Sequence, residues 1–324
     1  MIARTSRPVL LLLGATGQLG RELLHTLPSL GPLVAPSHEA LDLASAADVR
    51  RFVRALRPSI VVNAAGYAFV DQAESEPAQC AMLNADVPAL LARECRRLAA
   101  TLIHFSTDYV FDGCKHTPYL ETDATQPLSV YGRTKRDGER AVVDAGGAHF
   151  VVRTSWLHAA HGRNFPATIR RLAREREELR VVDDQIGAPT AAASVASGVR
   201  DMLRALERTR RLRGSAESYA GIYHMSAAGS TTWYEFARHI LDGDPRREEH
   251  ACREVRAIST DEYPTPARRP AYSVLDNTKL FAQFGIRLPS WVEQWRITSA
   301  RLGWESRAAF AEAGAGHPAD RTTM

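Results

Sequence analysis

The sequence predicts an α/β protein in which a doubly wound parallel sheet is followed by a smaller C-terminal lobe. Up to about residue 155, short apolar runs alternate with segments of helical periodicity, as in successive strand–helix–strand units. Beyond Trp156 this alternation loosens. The chain of 324 residues is also long for one compact core, which favours a second unit.

The first predicted strand, residues 9–13, runs directly into a glycine-rich segment. The segment reads G-A-T-G-Q-L-G at residues 14–20, and a helical pattern begins at Arg21. In this context the glycines let the backbone approach a pyrophosphate, and the helix N-terminus offers free N–H groups to its charge. The spacing is G-x-x-G-x-x-G rather than G-x-G-x-x-G. We therefore predict a Rossmann-type dinucleotide site, the alternative being a tight loop with structural glycines.

Further elements follow in alternating order. Strands are predicted at residues 33–35, 60–62, 102–105, 149–152, 181–182 and 221–225, and helices at residues 45–57, 70–76, 79–98, 129–144, 164–178, 194–208 and 232–241. We expect an NAD(P)-binding domain over residues 1–155, with later returns near residues 181–228, and a mainly substrate-binding lobe over residues 156–304. Residues 305–324 mix Ala, Gly, Pro and Arg without periodicity, which predicts a disordered tail.

A hydroxyl residue, Thr107, stands at the end of the predicted strand over residues 102–105, where ligands bind in an open α/β sheet. Tyr131 and Lys135 are four residues apart, so they share one face of the predicted helix. A nearby ammonium favours the phenolate and lowers the pKa of the tyrosine from about 10. This predicts a proton donor, with Thr107 able to bond to the same oxygen. The alternative is a surface tyrosine beside a solvated lysine.

Cofactor contacts are predicted after two other strands. Small residues at 63–67, N-A-A-G-Y, either let the backbone lie flat against a flat ligand or serve packing alone. The second strand is followed by P-S-H-E at residues 36–39, so the strand end has no clean acidic residue to hold a ribose 2′-hydroxyl, although Glu39 is a candidate for that role. NADPH is therefore favoured over NADH. Asp42 either faces the adenine pocket or ends a turn, and Asn84 is expected to be buried in a helix and bonded to the backbone.

Composition excludes several classes of protein. The formal net charge is only +4, and the basic residues are not concentrated in one block, which argues against a nucleic acid partner. The apolar run at residues 9–13 is far shorter than the ~20 residues of a membrane span, and it lacks a signal-peptide cleavage site. The four cysteines lack zinc-ligand spacing, which predicts reduced thiols and a cytoplasmic protein.

Two adjacent arginines, Arg268 and Arg269, lie in a proline-bearing segment at residues 264–276. Guanidinium groups bind diphosphates bidentately, so a diphosphate clamp is one interpretation. Ordinary surface charge is the other.

Several strings together resemble the extended short-chain dehydrogenases/reductases and, within them, the dTDP-4-dehydrorhamnose reductases. The resemblance covers roughly residues 8–300. The most specific strings are S-T-D-Y-V-F at residues 106–111 and D-Q-I-G-A-P-T at residues 184–190. The remaining strings lie at residues 14–20, 62–67, 70–74, 131–135, 153–156 and 269–273.

The resemblance implies reduction of the C4 keto group of dTDP-4-dehydro-L-rhamnose to dTDP-L-rhamnose, with NADPH or NADH as cofactor. Tyr131 would protonate the C4 oxygen, Lys135 would hold the nicotinamide ribose, and Thr107 would orient the carbonyl. Thr107, Asp108, Tyr131 and Trp156 would touch the sugar. The implied cofactor contacts are Gly14, Thr16, Gly17, Gln18, Leu19, Gly20, Asp42, Leu43, Ala64, Ala65, Gly66, Tyr131 and Lys135.

Two departures from the family pattern bear on cofactor and assembly. The acidic residue that some members use on the adenosine ribose is replaced around Ser37. Some members bind magnesium at a dimer interface with an acidic residue after the A-P-T turn, where this chain has three alanines at residues 191–193. We therefore expect no metal, and a monomer or a metal-free homodimer.

Three other functions stay open. The first is a 4-ketoreductase for another dTDP-deoxysugar. The second is a non-catalytic nucleotide-binding regulatory subunit resembling that of methionine adenosyltransferase. The third, a sugar epimerase or dehydratase that retains NAD, is disfavoured by the string at residues 184–190.

Overall fold

The computed structural model describes residues 7–212 and 214–302, so the tail predicted at residues 305–324 lies outside the described residues. The strands are β1 (Leu10–Leu13), β2 (Leu33–Val34), β3 (Ile60–Asn63), β4 (Thr101–Thr107), β5 (His149–Thr154), β6 (Leu157–His158), β7 (Glu178–Val182), β8 (Ile186–Gly187), β9 (Thr190–Ala191), β10 (Gly221–His224), β11 (Thr231–Thr232) and β12 (Glu254–Ile258). The α-helices are α1 (Gln18–Thr26), α2 (Ala46–Leu56), α3 (Pro77–Ala81), α4 (Val87–Leu98), α5 (Val130–Ala145), α6 (Phe165–Glu175), α7 (Ala192–Arg211), α8 (Trp233–Asp242), α9 (Thr278–Phe284) and α10 (Trp291–Leu302).

Six strands form one sheet in the order β2-β1-β3-β4-β5-β10, and every neighbouring pair is parallel. The predicted fold class, a doubly wound parallel sheet, is thereby confirmed. The order in which the chain adds strands reverses between β1 and β3, because β2 lies on one side of β1 and β3 on the other. In such sheets ligands bind in the crevice outside the carboxyl ends of the strands at this point.

The sheet is buried on both faces, which is why its strands read as continuous apolar runs. Leu10 and Leu12 pack in a cluster with residues of α1 and α7. Leu11 and Leu13 point the other way and pack with residues of α2 and α4. Two helical layers therefore hold the carboxyl ends of the strands in a fixed arrangement.

A second cluster of elements follows β5. Helices α6, α8 and α10 pack with the parallel pair β7–β12 around Ile169, Phe236 and Trp295. The predicted helix over residues 164–178 ends earlier, at Glu175, because Leu179 and Val181 alternate with exposed residues and form β7. No prediction was made for β12, α9 and α10.

The break predicted near Pro77 lies just before that proline, between the 3-10 turn at Gln72–Glu74 and α3. Pro77 begins α3, where its missing N–H is harmless. A π-helical turn at Met82–Asp86 then joins α3 to α4, and it contains the fully buried Asn84. The predicted helix over residues 70–76 is only a short 3-10 turn at Gln72–Glu74. No helix within residues 7–212 and 214–302 combines the length and apolar character that a membrane span requires.

A buried ion pair ties α5 to the sheet. The Arg153 guanidinium on β5 donates to both carboxylate oxygens of Glu139 on α5, at 2.8 and 2.7 Å. Both side chains are almost fully buried. The guanidinium also lies 5.0 Å from the centre of the Phe111 ring. The pair therefore fixes α5 against β5 at a distance set by two hydrogen bonds.

We expect Glu139→Ala to lower the free energy of unfolding by about 3–5 kcal/mol, because it leaves the Arg153 charge buried and unpaired. Urea unfolding measures this change. The matched control is Glu175→Ala, which breaks the half-exposed Arg171–Glu175 pair and should cost less than about 1 kcal/mol. Equal small losses for both variants would contradict the assignment.

Candidate active site

The glycine-rich segment brings the ends of β1 and β3 into contact. Gly14 follows β1 with a φ of +78°, and a Cβ there would lie 2.4 Å from the Ala65 nitrogen. A Cβ on Gly20 would lie 2.0 Å from the Gly14 carbonyl oxygen. These two glycines are therefore required for the close packing of β1, the loop after β3 and α1.

Gly17 differs from its neighbours because it is the N-cap of α1 and faces open space. A Cβ there would meet only the Gly14 carbonyl oxygen, at 3.5 Å. Among the described residues, no side chain caps this helix end, and its first turn has no acidic residue. The free N–H groups and the positive end of the helix dipole suit an anionic diphosphate. The segment thus fits a dinucleotide.

The remaining predicted cofactor residues lie at the start of α1 and in the segments after β2 and β3. Gln18 accepts a 2.9 Å hydrogen bond from Asn164, while Leu19 is buried and Thr16 exposed. The exposed Asp42 accepts from the Ala44 nitrogen at 2.9 Å and closes a turn. Leu43 packs against the cluster that contains α2 and α4, as does Ala65. Ala64 packs against the opposite cluster, and Gly66 is exposed.

The end of β4 turns sharply at Thr107. Thr107 is buried and N-caps a 3-10 turn at Asp108–Val110, with its Oγ1 accepting from the Tyr109 nitrogen at 3.1 Å. The same hydroxyl lies 3.0 Å from Asp108 Oδ1, to which it donates. The turn therefore presents a hydroxyl and a carboxyl side by side at the carboxyl edge of the sheet.

Helix α5 begins against this turn. Ser129 caps it through the Gly132 nitrogen at 3.1 Å, and Glu74 accepts from the Val130 nitrogen at 2.7 Å. A Cβ on Gly132 would lie 2.2 Å from the Tyr109 carbonyl oxygen. Because Gly132 has none, the first turn of α5 seats directly on the Tyr109 carbonyl.

This seating places the Tyr131 hydroxyl near enough to the Thr107 hydroxyl for the two to interact. The Tyr131 ring meets the Tyr109 ring edge to face, with centroids 6.1 Å apart. The Lys135 side chain lies one turn further along α5, buried, and its ammonium donates to the Phe105 carbonyl. A Cβ built on Gly66 would be 3.9 Å from that ammonium. Lys135 thus faces the loop after β3.

The electrostatics of Tyr131 differ from the sequence-based prediction. Burial raises the pKa of Tyr131, the Thr107 hydrogen bond opposes this, and the Asp108 charge raises it further. The predicted lowering by Lys135 is therefore wrong for the protein alone. Burial also lowers the pKa of Lys135 to about 8. Tyr131 consequently keeps its proton at neutral pH, as a proton donor must.

Asn84 holds the loop after β3 to α5, a role that the sequence analysis did not assign. Its side chain bonds to both the nitrogen and the carbonyl of Tyr67, at 2.9 and 3.0 Å. It also donates to Thr134 Oγ1 at 3.2 Å. A Cβ on Gly138 would lie 2.0 Å from the Asn84 carbonyl oxygen. The polar residue at mid-helix predicted burial and a bond to the backbone, which the structure confirms, but not that the backbone is that of Tyr67.

Trp156 follows β5, whose Thr154 pairs with Thr107 in the sheet. Trp156 has a φ of +44°, and its ring stacks on Trp233 with centroids 3.5 Å apart. A Cβ on Gly187 would lie 2.3 Å from the Trp156 indole. The strings at residues 153–156 and 184–190 are therefore one packing unit. The sequence analysis missed Trp233.

The proposed clamp of two arginines is not supported. Arg269 makes a bidentate ion pair with Asp71, at 2.9 and 2.6 Å, while Arg268 is exposed. Arg269 therefore anchors the segment at residues 264–276 to the loop after β3.

Two of the three alanines that follow the A-P-T turn, Ala191 and Ala192, are buried. Within the described part of the chain, no group of three or more His, Cys, Asp or Glu side chains could hold a metal ion.

We expect Gly17→Ala to leave stability near that of the parent protein but to weaken dinucleotide binding about tenfold, or about 1.4 kcal/mol, because its methyl group meets the phosphates. Gly20→Ala is the contrast. Its Cβ meets backbone, so it should lose about 1–3 kcal/mol of stability. Fluorescence titration with NADPH and urea unfolding separate the two effects. Unchanged NADPH affinity in Gly17→Ala would place the diphosphate elsewhere.

Comparison with known proteins agrees with this geometry. A family model described as RmlD substrate binding domain matches residues 8–302. A dTDP-4-dehydrorhamnose reductase from Burkholderia thailandensis is 44% identical over 285 residues, which cover 87% of this chain and 95% of that protein. Crystal structures of dTDP-4-dehydrorhamnose reductases are also similar. The one from Bacillus anthracis, in complex with NADP, has a TM-score of 0.80 at 34% identity and covers 90% of this chain and 98% of that chain. The ortholog from Clostridium acetobutylicum has a TM-score of 0.81 at 32% identity and covers 91% and 99%. The chain therefore belongs to the dTDP-4-dehydrorhamnose reductase family.

Proposed function

We propose that this protein reduces the C4 keto group of dTDP-4-dehydro-L-rhamnose to give dTDP-L-rhamnose, with NADPH as the preferred cofactor and NADH as the alternative. The observation that carries the proposal is the pair of neighbouring hydroxyl groups formed by Tyr131 and the buried Thr107. This pair lies at the carboxyl edge of the sheet, and Lys135 lies one turn along the same helix. Relatives named for this reaction match most of the chain.

The cofactor assignment rests on two features. The free N-terminus of α1 at Gly17 suits the diphosphate. The segment after β2 reads Pro36-Ser37-His38 before its first carboxylate at Glu39, so the strand end itself has no acidic residue to repel a 2′-phosphate. The residues that would hold the dinucleotide are Gly14, Thr16, Gly17, Gln18, Leu19, Gly20, Asp42, Leu43, Ala64, Ala65, Gly66, Tyr131 and Lys135. When bound, it supplies the hydride.

The protein supplies orientation and one proton. Thr107 orients the C4 carbonyl, and Tyr131 Oη gives its proton to the C4 oxygen as that oxygen becomes a hydroxyl. The Lys135 ammonium, buried beside Gly66, holds the nicotinamide ribose. Proton transfer and carbonyl orientation thus come from β4 and α5 alone.

The sugar would lie against Thr107, Asp108, Tyr131 and Trp156. The stack with Trp233 makes Trp156 a rigid apolar wall, and such a wall suits the 6-deoxy face of the sugar. The dTDP moiety would extend toward the lobe that follows β5. On this division, residues 1–155 with returns near residues 181–228 bind NAD(P), and residues 156–304 mainly bind substrate.

The proposed assembly rests on the alanines that follow the A-P-T turn. The buried Ala191 and Ala192 stand where an acidic metal ligand would be needed, so we propose a monomer or a metal-free homodimer. The partner is a dTDP-keto-sugar, and neither nucleic acid nor membrane is part of the function. The protein acts in the cytoplasm, where nucleotide sugars and NADPH are available.

The test mixes enzymatically generated dTDP-4-dehydrorhamnose with NADPH or NADH and follows loss of reduced-nicotinamide absorbance, with the product's C4 configuration read by NMR. Rapid oxidation with dTDP-L-rhamnose as product supports the proposal. Oxidation with a different C4 configuration would indicate a reductase for another deoxysugar. NADPH binding without oxidation would favour a regulatory subunit.

We expect Tyr131→Phe to lower kcat by about 10²–10⁴-fold, because the ring remains but the proton donor is lost. NADPH affinity should stay within a few-fold of that of the parent protein. Steady-state kinetics and a fluorescence titration measure the two quantities. The control is Tyr272→Phe, which removes a hydroxyl from a ring in the Tyr119 cluster and should leave kcat near normal. Near-normal turnover of Tyr131→Phe would remove this residue from the proton-transfer step.

A further inference from the structure

We propose that Asp108 is a positioning residue that decides which way the Thr107 hydroxyl donates, and that it returns the proton that Tyr131 gives up. The inference rests on the proposed function, and it adds a role for a carboxyl group that the resemblance assigns only to sugar contact. It is carried by the hydrogen bonds around Thr107 Oγ1, by the burial of Asp108 and by an unpaired carboxylate oxygen.

The hydrogen-bonding capacity of the Thr107 hydroxyl is limited. A hydroxyl has one proton to donate and two lone pairs with which to accept. Thr107 Oγ1 accepts from the Tyr109 nitrogen at 3.1 Å and lies 3.0 Å from Asp108 Oδ1. While Asp108 is a carboxylate it can only accept, so the Thr107 proton is committed to it. Thr107 then cannot donate to a substrate carbonyl.

Protonation of Asp108 reverses this bond. A neutral carboxyl can donate to Thr107 Oγ1, and the Thr107 proton is then free to point at the C4 oxygen of the sugar. Once Tyr131 has given its own proton to that oxygen, the Thr107 proton can turn to the phenolate, which lies near enough to interact with Thr107. The state of one carboxyl therefore controls a donor that contacts the reacting carbonyl.

The surroundings of Asp108 allow the neutral form near neutral pH. The side chain is 2% exposed, and among the described residues its Oδ2 has no hydrogen-bond partner of good geometry. The Ser273 hydroxyl lies near enough to favour the charged form, but burial is the larger effect and raises the pKa of Asp108 to about 7. An unpaired buried carboxylate is costly, which is the physical reason for this rise.

The groups that face Asp108 come from three segments. They are Tyr109 on its own turn, Tyr131 on α5, and Ser273 on the segment before α9. The charges of the Arg269–Asp71 ion pair act on the pKa of Tyr109, which is the neighbour of Asp108 in the chain. Lys135 on α5 titrates separately, with a pKa of about 8. A pH profile must therefore separate Asp108 from Lys135.

The proton balance of the step is simple. After Tyr131 Oη gives its proton to the C4 oxygen, the phenolate takes the proton of Thr107 Oγ1. Thr107 takes one from the Asp108 carboxyl, which is left as a carboxylate. Water then returns one proton to Asp108. This relay from Asp108 through Thr107 to Tyr131 moves one proton and no electrons, so it requires no further oxidant or reductant.

We expect kcat to fall as pH rises through about 7, because Asp108 is protonated below this value and ionised above it. Asp108→Asn keeps a donor toward Thr107 at every pH but cannot return a proton, so its kcat should lie below that of the parent at low pH, lose this limb and keep only the later fall near 8. Asp108→Ala provides no donor, and we expect about a hundredfold lower kcat at all pH values. The control, Asp137→Asn, changes an exposed carboxylate on α5 and should retain the parent profile.

A second readout does not depend on turnover. Infrared spectroscopy of the protein without ligands should show the C=O stretch of a buried neutral carboxyl. This band should disappear as pH rises through about 7, and it should be absent from Asp108→Asn. Unfolding in urea verifies that each variant is folded. Asp108→Asn should gain stability relative to the parent as pH rises from about 4 to 7, because in this range Asp108 ionises in the unfolded parent chain but stays neutral in the folded one.

The outcomes separate this inference from the proposed function. A retained limb near pH 7 in kcat of Asp108→Asn overturns the inference, as does a carboxyl band that titrates near pH 4. Loss of both the limb and the band in that variant supports it. If the parent protein fails to turn over the keto sugar, the proposed function fails, and the infrared titration still decides the state of Asp108.

Discussion

The whole site depends on one backbone contact, the seating of the first turn of α5 on the Tyr109 carbonyl. Gly132 makes the contact possible, since any Cβ there would overlap the carbonyl oxygen. Further along the helix, Gly138 allows an equally close approach to Asn84, and Glu139 is held by Arg153. These three contacts place α5 relative to β3, β4 and β5 at once. Tyr131 and Lys135 reach the sheet edge because the helix that carries them cannot shift. Their chemistry is thus a property of packing as much as of residue type.

Position also governs the electrostatics of the site. Burial beside Thr107 raises the pKa of Tyr131, so the phenol is neutral before the reaction. The same burial lowers the pKa of Lys135 but leaves it largely charged at neutral pH. A phenol that is neutral before the reaction is suited to giving up one proton. The site therefore separates two side chains that the four-residue spacing suggested act as one: Tyr131 lies by Thr107, while the Lys135 ammonium bonds to the Phe105 carbonyl and faces Gly66.

Much of this arrangement was predictable from sequence, because apolar periodicity and the glycine segment report local geometry directly. The strands of the main sheet and the positions of Thr107 and Tyr131 follow from such patterns. Strand β12 was not predictable, since most of its residues are exposed and its pairing depends on β7. The π-helical turn at Asn84 depends on contacts with Tyr67 and Thr134, residues distant in sequence. The partner of Arg269 was likewise hidden, because Asp71 lies almost two hundred residues away.

The fit between Trp156 and Gly187 has a consequence for how such sequences can change. The indole occupies the volume where a side chain at position 187 would begin, and its backbone is held in the left-handed region. Neither Trp156 nor Gly187 can be substituted freely while the other residue is kept. A larger residue at 187 requires a smaller ring at 156, and the loss of the ring removes the reason for glycine. Across relatives that keep this fold, the two positions should therefore vary together, and a change at both would mark a sugar pocket remodelled for a differently shaped substrate.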